Sequence, residues 1–419
     1  MTDPRPSGAP GTTWARSHTY AARELLFPTS IEECQAIVER EPRVRALGTR
    51  HSFSDLADSP GVLVSLGALD AEPELLDDGH VRVPAGQRYG DLAVWLEQRG
   101  LALANLASLP HISVGGAVAT GTHGSGVGNG SLSSAVAALE MVDGRGARVR
   151  LSRGDAAFDG AVIGVGTLGL VTSIELDVEP TYLVRQTVHE GLPWRAFLAD
   201  PWAVMAAAYS VSVFTRWTGD TVGQVWVKAR DGDMPLVLGA DPALEQRHMI
   251  PGLDPGLTTP QLGAPGPWHE RIPHFRLGFL PSSGDEIQSE YLVPREAARP
   301  ALEAVRGLAD RIEPLLHVSE LRTVAADDLW LSGAHGTDAM ALHFTWRREP
   351  EAVAALLPVL EERLLPLSAR PHWGKVFAAG AADLSGLYPR WDDFAALAEH
   401  HDPDHRFVND WTARRLGRG

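Results

Sequence analysis

Two short runs carry side chains that could bind and polarise a neutral organic molecule: Glu320 and Arg322 in HVSELRTV, and His343 and Thr345 in ALHFTW. If both runs are strands, alternation puts Glu320 and Arg322 on one face with Leu321 on the other, and His343 beside Thr345. The same spacing fits strands that face solvent, and pattern alone favours that plainer reading. A second chemistry is offered by two glycine-rich segments, RALGTRHSFSDL at 45–56 and SLPHISVGGAVATGTHGSGVGNGSLSS at 108–134; the latter holds seven glycines and no Lys, Arg, Asp or Glu. Neither has the lysine that grips a triphosphate. Successive backbone N–H groups in such turns form a nest for a pyrophosphate, and small residues let a planar ring lie against the main chain, which suits an ADP-containing cofactor. A tight hairpin and a disordered linker are the plainer alternatives, but Leu109, Ile112, Val114, Val118 and Val127 argue against a linker.

Other chemistries drop out. Gly164, Gly166 and Gly169 match G-x-G-x-x-G, but LVTSIELDV follows, a β-branched alternating run where the dinucleotide fingerprint needs a helix. These glycines mark a turn. There is no P-loop and no G-x-S-x-G elbow. His400, His401, Asp402 and His405 in EHHDPDH are metal-ligand types, yet adjacent histidines cannot share a helix face and Pro403 puts the group in a turn. A solvated surface cluster is expected there, and no metal. The lone Cys34 can neither form an internal disulfide nor hold a structural zinc by itself. With 37 Lys+Arg against 53 Asp+Glu, the formal charge of −16 disfavours nucleic acid and anionic membrane surfaces as partners. No apolar run approaches the roughly 20 residues of a spanning helix, and MTDPRPSGAPGTTW has no secretory signal, so a cytoplasmic protein is expected.

The elements that must position these residues read as mixed α and β. In FPTSIEECQAIV, Ser30 and Glu33 predict a capping box ahead of an apolar stripe of Ile31, Cys34, Ile37 and Val38, with Cys34 buried rather than reactive. Strands are predicted at 44–47, 62–66, 81–83 and 170–178, a helix at 89–99 stopping at Gly100, and a hairpin of 136–142 with 147–151 around DGRG. From about residue 183 a second sheet begins with SVSVFTRW and QVWVKAR. A loop-rich stretch at 231–281 covers something, and the strands EIQSEYLV, HVSELRTV and ALHFTW precede an amphipathic helix at 351–365. A length of 419 residues fits two domains better than one.

LGTRHSFSD resembles the phosphate-binding loop of the vanillyl-alcohol-oxidase-type flavoproteins, SLPHISVGGAVATGTHGSG their second flavin-contacting segment, and RPHWGKVF and DHRFVND their C-terminal signatures. Within that superfamily, SLPHIS, QSEYL, SELRTVAAD, HFTW and RPHWGK are similar to the alditol oxidases, also called xylitol oxidases. The resemblance implies an α+β, two-domain fold: an FAD-binding domain at 1–182, a substrate (cap) domain at 183–365 on a mixed or antiparallel sheet flanked by helices, and a segment at 366–419 returning to the first domain. It implies oxidation of the terminal CH–OH of sugar alcohols such as xylitol or sorbitol to the aldose, with hydrogen peroxide as product. The alternatives are an aldonolactone oxidase or dehydrogenase of the same fold and a redox-inactive flavin-binding protein.

The resemblance also implies FAD attached covalently through His51, the plain alternative being a histidine that caps the phosphate turn. Flavin contacts carry over onto Ala46, Leu47, Gly48, Thr49, Arg50, His51, Ser52, Ser108, Ser113, Gly116, Thr120, Gly121, Thr122, His123, Val171 and His372. Arg50 stands where many relatives have glycine, which would put a guanidinium near the pyrophosphate. Polyol binding carries over onto Ser108, Glu320, Arg322, Thr345 and Lys375, with Gln288 and His343 nearby, and Ala107 takes the small-residue position that admits oxygen. These types suit the reaction. Each unpaired buried hydroxyl of a polyol would cost about 1–3 kcal/mol, so recognition needs many donors and acceptors. Arg322 and Lys375 can stabilise a developing alkoxide, and their mutual repulsion should depress Lys375 and make it a proton acceptor, with His343 its rival. The expected partners are a polyol and molecular oxygen, and the expected state is a monomer.

Overall fold

The structure is a computed structural model that describes residues 7–419 except 70, 233, 236, 238 and 279–284. The first six residues and part of the 231–281 loop thus lie outside the described residues. A small sheet opens the chain: parallel strands β1 (Glu24–Leu26), β2 (Val44–Ala46) and β3 (Val62–Val64), with β3 between the other two. The Ser30 hydroxyl starts α1 (Ile31–Arg40) by accepting the Glu33 N–H, but the Glu33 carboxylate takes the Thr29 N–H at 2.7 Å instead of completing the box on Ser30. Cys34, Ile37 and Val38 are buried, and burial pushes the Cys34 thiol up to about 12, which leaves it a small inert hydrophobe.

A second, antiparallel sheet holds β4 (His80–Pro84), β5 (Val136–Asp143), β6 (Arg148–Ser152) and β7 (Gly169–Asp177), in the order β4–β7–β5–β6. The predicted hairpin is β5 with β6, and a strand rather than a helix follows Gly164–Gly169. Helix α2 (Tyr89–Glu97) ends two residues before the predicted Arg99, and Gly100 follows at φ +71°. The second glycine-rich segment contains a helix that periodicity did not reveal, α3 (Val114–Ala119), because its small residues carry little apolar pattern.

The largest sheet is antiparallel: β8 (Leu183–Glu190), β9 (Ser210–Thr215), β10 (Gln224–Arg230), β11 (Glu286–Pro294), β12 (Leu316–Val324) and β13 (Ala339–Arg347), in the order β8–β10–β9–β12–β13–β11. On one face Leu321, Leu342, Phe344 and Trp346 join Val353, Leu356 and Leu360 of α4 (Pro350–Leu364) in a common core. The polar face is buried as well: Glu320, Arg322, His343 and Thr345 are only 6–8% exposed. A strand buried on both faces is the opposite of the solvent-facing reading, and four polar side chains held there need partners of their own.

After α4 the chain runs back across the earlier elements. The strand Arg370–Pro371 pairs with β11, and the Phe53 N–H donates to the Gly374 carbonyl at 3.0 Å. Asn409 caps α5 (Asp410–Leu416) and its amide donates to the carbonyls of Asp55, Leu56 and Asp58. The expected solvated cluster at 400–405 is corrected here. His401 and Asp402 are buried, and the Asp402 carboxylate accepts the N–H groups of Arg406 and Phe407, closing the turn that leads into α5.

Candidate active site

A cavity of about 630 Å³ lies between the glycine-rich segments and the polar face of the large sheet, within the size range of cofactor and substrate sites. One wall is built by Ala46, Leu47, Gly48, Thr49, Arg50, His51, Ser52, Ser113, Gly116, Thr120, Thr122 and Val171. The other is built by Gln288, Glu290, Glu320, Arg322, His343, Thr345 and Lys375, and Ala107, Ser108, His123 and His372 also line the space. The 231–281 loop contributes His248, Met249, Leu253, Leu257, His274 and Phe275, so it does cover something. Gly121 is the exception among the expected contacts. It does not line the cavity and makes the left-handed turn, φ +65°, that follows α3.

Gly48 shows why glycine is needed on the first wall. A Cβ there would lie 2.4 Å from the Ser113 hydroxyl oxygen, so only a bare backbone lets the two glycine-rich segments meet. The Ser113 N–H completes the join by donating to Thr49 Oγ1 at 3.1 Å. Both ring nitrogens of His51 are buried without a hydrogen-bond partner, and the ring stacks on Trp14 with centroids 5.4 Å apart. Burial, reinforced by His111, pulls its pKa down to about 4, so the imidazole is neutral with a free lone pair. Arg50 adopts φ +66°, a conformation that favours glycine. Its Nη1 donates to the carbonyls of Pro10 and Thr12, so it braces the N-terminal segment while lining the cavity.

A second cation of this wall is Arg45, a residue the sequence reading passed over. It is fully buried and donates to the carbonyls of Leu56, Val165, Gly166 and Phe407 at 2.5–2.9 Å. Burial lowers it to about 10, yet it stays protonated at neutral pH. It ties together three stretches of chain and adds a buried positive charge to the cavity wall.

On the second wall the sheet register sets Glu290, His343 and Glu320 side by side across β11, β13 and β12, with Gln288 opposite Thr345. Glu290 is the centre. Its Oε1 accepts from Arg322 Nη2 at 2.5 Å and lies 3.3 Å from His123 Nε2, while its Oε2 lies 3.3 Å from Lys375 Nζ and 3.5 Å from His343 Nδ1. Burial alone would raise its pKa, but Arg322 and Lys375 hold the carboxyl well below the usual range. Arg322 Nη1 also reaches the His123 carbonyl at 3.3 Å and Ser108 Oγ at 3.5 Å. Lys375 donates to Gln288 Oε1 at 2.7 Å and to His343 Nδ1 at 2.8 Å. With Nδ1 so occupied, His343 carries its proton on Nε2, 3.1 Å from Thr345 Oγ1. Burial and then Lys375 lower His343 to about 4. Lys375 is itself lowered, by burial first and by Arg322 only after the opposing pull of Glu290, so repulsion from the arginine is a lesser cause than the sequence reading assumed.

Residues 22–152 match the FAD binding domain family, and residues 285–415 match the D-arabinono-1,4-lactone oxidase family. Across 95% of its length the chain is 48% identical to an alditol oxidase of a Streptomyces species, covering 97% of that protein. The chain belongs to the alditol oxidase family. It is an FAD-dependent oxidoreductase. An L-gulono-1,4-lactone dehydrogenase of Mycobacterium tuberculosis is a more distant relative, 29% identical over 97% of this chain and 99% of that one. Among solved structures, a cholesterol oxidase from B. sterolicum superposes with a TM-score of 0.79 at 15% identity, with 99% of each chain covered. A solvent-stable cholesterol oxidase does so at 0.77 and 17%, with 97% of each covered. These show the vanillyl-alcohol-oxidase-type α+β fold.

For this alditol oxidase family member, the residue that sequence reasoning missed most plainly is Glu290. The signal was present: in EIQSEYLV alternation puts Gln288 and Glu290 on one face, and only Gln288 was singled out. Among the described residues, His123, Glu290 and His372 are also the one group with the spacing of metal ligands. Arg322 and Lys375 already neutralise Glu290, so a divalent cation there would face two positive charges.

Proposed function

We propose that this protein oxidises the terminal CH–OH of alditols such as xylitol and sorbitol to the aldose, passing a hydride to FAD held covalently through His51 and reducing oxygen to hydrogen peroxide. The observation that carries the reading is the second wall: a buried row of donors and acceptors in which the carboxylates of Glu290 and Glu320 flank Arg322, and Lys375 meets Glu290. Such a surface suits a neutral ligand rich in hydroxyls, since an added net charge would be left uncompensated. FAD, once bound, supplies the two-electron acceptor and the route to oxygen.

The protein's own groups account for the rest. Ser108, Gln288, Glu320, Arg322 and Thr345 hold the polyol hydroxyls, and Arg322 stabilises the oxygen that gains charge as its carbon is oxidised. The hydroxyl proton passes to the Lys375–His343 pair. Because the two nitrogens sit 2.8 Å apart and share one proton position, the pair accepts a single proton as a unit. Reduction of the flavin by xylitol without oxygen tests the reading. The yellow colour should bleach with xylitol and sorbitol and not with an aldonolactone, and a flavin reduced only by the lactone would favour the lactone-oxidising alternative.

The partnerless, neutral His51 ring supports covalent attachment: its free lone pair would form the N–C bond to the C8 methyl carbon as a C–H proton is lost, the electron pair passing to the flavin ring and on to oxygen. Flavin colour should stay with acid-precipitated wild-type protein and pass wholly to the supernatant from His51→Ala; release from the wild type would refute the link. Ala107, 7% exposed on the cavity wall, is read as the gate for oxygen. Ala107→Leu should slow reoxidation by oxygen about 10-fold or more while anaerobic reduction by xylitol proceeds, and equal oxygen kinetics would count against it. We read residues 1–182 with 366–419 as the flavin domain and 183–365 as the cap, supported by the bonds from Asn409 to residues 55–58. The remaining elements of the reading are a monomer in the cytoplasm that binds neither membrane nor nucleic acid. The net charge of −16 supports the last two, because it repels phosphate backbones and anionic lipid surfaces; no helix among the described residues is long and apolar enough to cross a membrane.

A further inference from the structure

Behind Glu320 lies a buried chain of groups that the proposed chemistry does not use. Lys228, on β10, is 1% exposed, and its ammonium donates to the Ile272 carbonyl at 2.5 Å and to His274 Nδ1 at 3.0 Å. His274 Nε2 stands 2.7 Å from Glu320 Oε1. These distances fit a neutral imidazole that accepts at Nδ1 from the lysine nitrogen, whose pKa burial lowers to about 7, and donates its Nε2–H to the carboxylate. Burial, with Lys228 adding to it, lowers His274 to about 4, in keeping with a neutral ring. Phe214 and Trp226 pack edge-on against that ring at centroid distances of 5.5 and 5.1 Å and fix its plane.

The consequence falls on the other carboxylate oxygen. Glu320 Oε1 is held by His274, whereas Oε2 lies 3.7 Å from Arg322 Nε, beyond hydrogen-bond range, on a residue that lines the cavity. Oε2 is therefore an aimed acceptor with capacity to spare. Without the relay, Glu320 could rotate onto Arg322 and lose that capacity, while the groups that meet the reacting hydroxyl would keep theirs.

We propose that Lys228 and His274 are positioning residues that hold Glu320 oriented to accept a substrate hydroxyl remote from the carbon being oxidised, and that this relay sets the preference for polyhydric over monohydric alcohols. This rests on the polyol reading above. The test compares xylitol with 1-pentanol, a chain of equal carbon number without remote hydroxyls, as reductants of the FAD-loaded enzyme. Lys228→Met and His274→Leu should raise the xylitol KM about 10- to 100-fold with a much smaller change in kcat, and should cut the xylitol-to-pentanol ratio of kcat/KM by a similar factor. His274→Gln, which can still donate to Glu320, should recover most of the ratio. If the leucine variant does not fold, His274→Gln and Lys228→Gln make the same comparison, with only the lysine variant impaired. Equal losses for the two alcohols, or an unchanged xylitol KM, would overturn the relay. A wild-type flavin that xylitol does not reduce would instead overturn the polyol reading, and the proposal with it.

Discussion

Glu290→Gln should lower kcat/KM for xylitol by about 10²–10³, the scale of removing one preorganised electrostatic partner from a reacting centre. The carboxylate serves Arg322, Lys375, His343 and His123 at once. An amide is nearly isosteric but brings no charge, so Arg322 would keep only Glu320 at 3.7 Å and Lys375 would lose its carboxylate partner. Breaking a buried pair by removing one partner destabilises by about 3–5 kcal/mol, and a lower melting temperature should accompany the loss of activity. A structural defect alone would not move the pH profile, whereas this variant should. Glu290 favours the ammonium form of Lys375, so its removal lowers the Lys375 pKa and makes the neutral amine available at lower pH. The ascending limb of kcat/KM should shift toward acid while its plateau falls. An unshifted limb would show that Glu290 does not govern the acceptor.

Lys375→Met should cost more in the chemical step, about 10²–10⁴ in the anaerobic rate of flavin reduction, the range for loss of a general base. The methionine keeps the apolar stem and removes the nitrogen that meets Gln288 and His343. In the wild type the base must be unprotonated, so activity rises with pH through the pKa of the Lys375–His343 pair, below the ordinary lysine range because burial disfavours the ammonium. The variant should lose that limb. His343 then has Nδ1 free and loses the lysine that adds to its lowering, but burial, the larger cause, still holds it below an ordinary imidazole. A variant that kept the wild-type limb and rate would transfer the role to His343 or to another group.

How much of this site could be read from the sequence depends on how local each feature is. The pairing of Glu320 with Arg322 and of His343 with Thr345 follows from the two-residue period of a strand, which is a property of the chain and independent of its neighbours. The burial of that face does not follow. Alternating polar residues on a strand read as solvent-facing unless something covers them, and the cover here is a separate glycine-rich wall together with the 231–281 loop. The same limit explains EHHDPDH: a run of polar residues looks solvated, but its Asp402 is drawn inside to satisfy two backbone N–H groups of a turn. That Arg45 on β2 is tied to carbonyls of Leu56, Gly166 and Phe407, and Arg50 to those of Pro10 and Thr12, follows from the path of the backbone and from no local pattern.

By itself the sequence determined the strands and their faces, the glycines that let two segments touch, and the family, all of which are written in short-range pattern or in contiguous motifs. Only the tertiary structure decided the partners. Arg322 meets Glu290 across 32 residues of chain and the His123 carbonyl across 199, and His274 meets Glu320 across 46. Contacts of that span are set by strand register and by the packing of one wall against another. In a buried, low-dielectric space each charge must then be matched by whichever group the fold has brought beside it.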